Sequence, residues 1–60
     1  MQWQLHYRKD GQEFRALAQD RSAALAVACI LLGDGHEVVR LESLAGDTID
    51  AHEIRRLCQP

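Results

Sequence analysis

Several things this 60-residue chain does not have narrow the reading before anything it does have. No apolar stretch approaches the ~20 residues needed to cross a membrane; the longest, Ala23 to Leu32, is about half that length. The N-terminus is polar and alternating, so no secretory signal is expected, and a cytoplasmic location follows as the expectation. There is no glycine loop of the phosphate-cradling kind. No cysteine or histidine pair has the short spacing that zinc sites favour. His6, His36 and His52 therefore read as surface histidines rather than ligands, and no metal or cofactor is expected. A Cys–His couple for nucleophilic catalysis needs a thiol beside an imidazole, but His52 precedes Cys58 by six residues, which separates them on a helix. Asp47 and Asp50 sit where turns and caps want acids. No enzyme is expected.

Aromatic residues are scarce, and Trp3, Tyr7 and Phe14 all lie in the first quarter of the chain. Charge of one sign is also lacking. The net charge of −2 offers no general attraction to nucleic acid or to an anionic membrane. The two cysteines, Cys29 and Cys58, come without a secretory signal and read as reduced thiols. A disulfide between the two helices is the other arrangement open to them.

What remains is a globular composition, 47% hydrophobic and 27% charged, sized for one domain over residues 1–60. A chain this short buries only ~60% of the surface its unfolded form exposes, so its core is thin.

Residues 2–8 alternate, with Trp3, Leu5 and Tyr7 on one side and Gln2, Gln4, His6 and Arg8 on the other. Asp10-Gly11 is the pair that closes a two-residue type I′ hairpin, because both positions need positive φ. The second strand spans 12–19. Its register then faces Tyr7 with Phe14, Leu5 with Ala16 and Trp3 with Ala18 on one side. Arg8 faces Glu13 and His6 faces Arg15 on the other. Asp20 or Ser22 caps a helix that runs through Leu32 and stops at Gly33 as its C′ residue. A third strand, 36–43, turns its Val39 and Leu41 inward, while Val38 has no evident place. A turn at 44–47 leads to a short fourth strand at Thr48-Ile49. Asp50-Ala51-His52-Glu53 has capping-box spacing and starts a last helix with Ile54, Leu57 and Cys58 on its apolar side.

The expected fold is α+β in two layers, β-β-α-β-β-α. Its antiparallel sheet has order 2-1-3-4, with the long helix on one face. The expected core is Trp3, Leu5, Tyr7, Phe14, Leu25, Val27, Leu31, Leu32, Val39, Leu41 and Ile49.

Ten consecutive apolar residues cannot all face one core if they are helical. Ala24, Leu25, Val27, Ala28, Leu31 and Leu32 share one broad side, and Ser22, Ala26, Cys29 and Gly33 take the other, with Ile30 nearby. Small residues at such spacing let two helices approach closely. Ser22, Ala26, Cys29, Ile30 and Gly33 are accordingly the candidate interface of a homodimer or of a docking protein partner. The alternative partner is nucleic acid on the hairpin's outer face, through His6, Arg8 and Arg15 with Arg21 adding a phosphate contact.

The D-G hairpin, alanine-rich helix and second hairpin look like many small bacterial domains of unknown function. Over residues 1–33 the strand–strand–helix opening is remotely similar in pattern to HicB-type antitoxins. That resemblance implies an accessory or regulatory role and carries over no functional residue. The expected function is thus a protein-interaction or dimerisation module, with an antitoxin-like nucleic-acid binder as the alternative.

Overall fold

The computed structural model describes residues 1–59. Its elements are β1 (Trp3–Lys9), β2 (Gln12–Ala18), α1 (Arg21–Gly33), β3 (Glu37–Ser43), β4 (Thr48–Asp50) and α2 (Ala51–Leu57). The four strands form one antiparallel sheet in the order β2-β1-β3-β4, as the sequence pattern leads one to expect. Both helices pack on one side of it.

The first hairpin follows its turn chemistry. Asp10 and Gly11 both have positive φ, 54° and 80°, the type I′ geometry. Every expected β1–β2 pair is present, from Lys9 opposite Gln12 to Trp3 opposite Ala18. Tyr7 and Phe14 stack with ring centroids 5.6 Å apart.

Asp20 caps α1, its carboxylate accepting from the Ala23 N–H at 2.8 Å. The far end of the helix differs from expectation. Gly33 completes the last turn, and the left-handed residue is Gly35, at φ 87°. The Gly35 N–H donates to the Leu32 carbonyl and the His36 N–H to the Leu31 carbonyl. These are the paired bonds of a Schellman motif, which needs a glycine two positions later than the first one available.

The third strand contains the main departure. β1 pairs β3 in one register from Trp3–Ser43 to His6–Arg40 and in another for Tyr7–Val38 and Arg8–Glu37. Val39 is the extra residue of a β-bulge. An unbroken period of two would place Val38 outward and Val39 inward with Leu41. The bulge resets the alternation, so Val38 and Leu41 are both sealed in the core while Val39 is only half-buried.

The core is Trp3, Leu5, Ala24, Ala28, Val38, Leu41, Ile49 and Ile54. Tyr7, Leu25, Leu31 and Leu32 pack around it, half-buried. Phe14 and Val27, expected inside, are 38% and 40% exposed. The places nearest the sheet go to Ala24 and Ala28, whose small side chains let α1 lie close over β1 and β3. α2 contributes Ile54, completely buried, whereas Leu57 on the same helix stays partly in solvent.

The cysteines also depart from the expectation of reduced thiols. Cys29 on α1 and Cys58 after α2 form a disulfide, with their Cα atoms 5.4 Å apart. It ties the second helix to the first in a domain whose core is thin.

Two outcomes follow. Val38→Ala should cost about 2 kcal/mol in urea unfolding and Val39→Ala less than half of that, the reverse of what plain alternation would give. Cys58→Ser, or full reduction, should lower stability by about 3–4 kcal/mol, since the bridge closes a loop with a sequence separation of 29.

Candidate interaction surface

α1 cannot cover the whole sheet. It sits over the central strands and meets α2 on one flank, where Cys29 is bonded to Cys58. On the other flank it leaves the helix-bearing side of β2 partly open. A small cleft of about 40 Å³ there is lined by Leu5, Ala16, Leu17, Ala18, Ala24 and Val27. It is too small for a ligand larger than a water or two. Val27 borders it, and Ile30, one turn further along the helix, is 64% exposed. Phe14 continues the helix-bearing side of β2 towards the turn.

The proposed helix stripe is divided by this arrangement. Ser22, Ala26 and Gly33 are exposed on the outer ridge of α1. Ile30 is exposed on the β2 flank, and Cys29 is half-buried on the α2 flank in its disulfide. Pattern reasoning missed Phe14 and Val27 as surface residues. Their apolar character reads as core, and only the lateral position of the helix exposes them.

Among the described residues no helix lies on the opposite side of the sheet. Gln4, His6 and Arg8 from β1 lie there with Glu13, Arg15 and Leu17 from β2 and Arg40 and Glu42 from β3. His6 is nonetheless only 4% exposed. Arg15 and Arg40 stand opposite it on the neighbouring strands. Its Nε2 lies 3.2 Å from Glu42 Oε1, and its Nδ1, 3.9 Å from Glu13 Oε1, makes no hydrogen bond among the described residues. Of the four residues expected to meet nucleic acid, Arg8 and Arg15 share the open face and His6 is covered. Arg21 begins α1 in the other layer, close enough to Glu53 of α2 to affect its ionisation. Glu13, Glu37 and Glu42 lie among the arginines, with Arg8 Nε 3.9 Å from Glu37 and Arg40 Nε 4.0 Å from Glu42.

Among the described residues no three His, Cys, Asp or Glu side chains gather as metal ligands would. His6, His36 and His52 belong to β1, the α1–β3 connection and α2. No helix among those residues is long and apolar enough to cross a membrane.

α2 is ordered by its own charges. The Asp50 carboxylate accepts from the Glu53 N–H at 2.8 Å, the first half of the capping box. The Glu53 carboxylate does not complete the box but binds Arg56, accepting from Nε at 2.9 Å and from Nη2. This hydrogen bond, aided by the positive charges of Arg56, His52 and Arg21, holds the Glu53 carboxyl below its ordinary range. A carboxyl depressed in the folded state stabilises it above the unfolded carboxyl pKa, and the effect fades as pH falls through the folded value. In a ¹³C carboxyl titration Glu53 should therefore titrate below the ordinary glutamate range, and Arg56→Ala should return it towards that range.

Compared with protein-family models, with curated proteins and with solved structures, the chain matches none.

Proposed function

We propose that this protein is a non-catalytic interaction module whose α1 surface meets a protein partner, in the simplest case a second copy. The observation that carries this reading is Ile30, 64% exposed within an apolar run on a 60-residue domain. Ser22, Ala26 and Gly33 beside it present little bulk, so another chain can approach the helix closely. Phe14 and Val27 extend the apolar surface towards β2. Isolated exposed apolar residues are ordinary; a group of them along one flank marks a contact surface.

The nucleic-acid reading has less support. Its hairpin face interleaves acids with arginines, and the histidine it needs is covered. The cytoplasmic placement rests on the polar N-terminus, and the Cys29–Cys58 bridge runs against the reduced thiols that such a compartment favours. The interaction reading holds in either compartment.

Native mass measured across a dilution series tests it. A dimer is expected at high concentration, and Ile30→Glu and Ala26→Glu should each shift the mass towards monomer with the circular dichroism unchanged. If the unmodified chain is monomeric at every concentration and neither substitution alters any association, the proposed surface is wrong.

A further inference from the structure

The two edges of the sheet are managed differently. β4 has three residues, too short to template another strand, and α2 follows it directly. β2 has seven, with no proline, and the bulge that interrupts β3 lies on the far side of β1. Five of the six residues after the turn, Gln12 to Leu17, are exposed; only Ala16 is half-buried. Such an edge invites another strand.

Its hydrogen-bonding groups can be assigned. In a hairpin closed by a two-residue turn the flanking pair, Lys9 and Gln12, exchanges both backbone bonds, and bonded pairs then alternate. Gln12, Phe14, Ala16 and Ala18 are thereby satisfied by β1. Glu13, Arg15 and Leu17 direct their N–H and C=O groups away from the sheet. Their side chains stand on the open face, and Phe14 stands on the helix-bearing face between them.

We infer that β2 pairs antiparallel with β2 of a second copy about a two-fold axis through Phe14, setting Glu13 of each chain opposite Arg15 of the other. This rests on the interaction reading above and names its partner and geometry. The register is selected by charge. Centring the axis on Arg15 sets that arginine against itself, and centring it on Ala16 leaves Glu13 opposite Gln19. Only the Phe14-centred register pairs opposite charges twice, and both of those pairs fall where the outward backbone groups can exchange hydrogen bonds. It also brings the two Phe14 rings together, flanked by the exposed Val27 and Ile30 of each α1. The apolar flank and the free edge are then one self-complementary surface, and the two sheets join into a continuous eight-stranded sheet.

Two charge-reversal variants test the pairing. In Glu13→Arg both interface positions are basic, and in Arg15→Glu both are acidic. Each alone should raise the dimer dissociation constant about tenfold. Mixed in equal amounts they restore both ion pairs, so a heterodimer should form as tightly as the unmodified dimer, measured by native mass spectrometry with one chain isotopically labelled. Circular dichroism of each variant checks that the hairpin still folds. A dimer that tolerates both reversals but dissociates in Ala26→Glu would overturn the β2 pairing and leave the helix-mediated interaction standing. An unmodified chain that is monomeric at all concentrations would overturn both. Variants that each weaken the dimer but fail to recombine would overturn the Glu13–Arg15 register.

Discussion

The pairing of β1 on both of its sides is the constraint on which the rest of the structure depends. Among the described residues β1 is the only strand with a seven-residue partner on each edge, β2 through the tight turn and β3 through the crossover. It contributes Trp3 and Leu5 to the core and presents one continuous apolar strip with Leu41 and Val38 beside it. α1 must lie over that strip, because nowhere else in so short a chain is there enough apolar surface to bury it. Ala24 and Ala28 at the point of closest approach make this possible, since larger side chains there would hold the helix off the sheet.

Centring α1 on β1 and β3 has consequences on both flanks. Towards β4 a gap remains, which α2 fills with Ile54 and secures with the Cys29–Cys58 bridge. Towards β2 the described residues offer no further element. Phe14, Val27 and Ile30 are left partly or largely in solvent, beside an edge strand with unpaired backbone groups. The exposed surface is a direct result of covering a four-stranded sheet with one long helix and one short one. The proposed interaction function starts from this geometric shortfall.

The bulge at Val39 performs a related adjustment. β3 must offer a residue to the core at both ends of its pairing with β1, and Val38 and Leu41 are three residues apart, an odd spacing that a regular strand would split between faces. One extra residue reconciles them. The same strand order explains His6, a polar residue on the open side that is nevertheless buried. It lies on a central strand, flanked by a neighbour on each side, with Glu42 3.2 Å from its Nε2 and Glu13 3.9 Å from its Nδ1.

By itself the sequence determined most of what local chemistry governs, though not which of two glycines ends α1. Asp10-Gly11 dictated the first turn and, through it, the pairing of every β1 and β2 residue. Asp50 marked the start of the second helix and Asp20 or Ser22 that of the first, and alternation identified Trp3, Leu5, Leu41 and Ile49 as core. The strand order followed from how short connections cross a sheet. Tertiary structure decided what depends on distant neighbours. It chose Val38 over Val39 to face inward. It joined two cysteines read as reduced thiols, covered His6, and exposed Phe14 and Val27. Local signals record which residues prefer to be buried, but burial itself depends on whether another part of the chain reaches them, and here the helices reach three strands well and the fourth only in part.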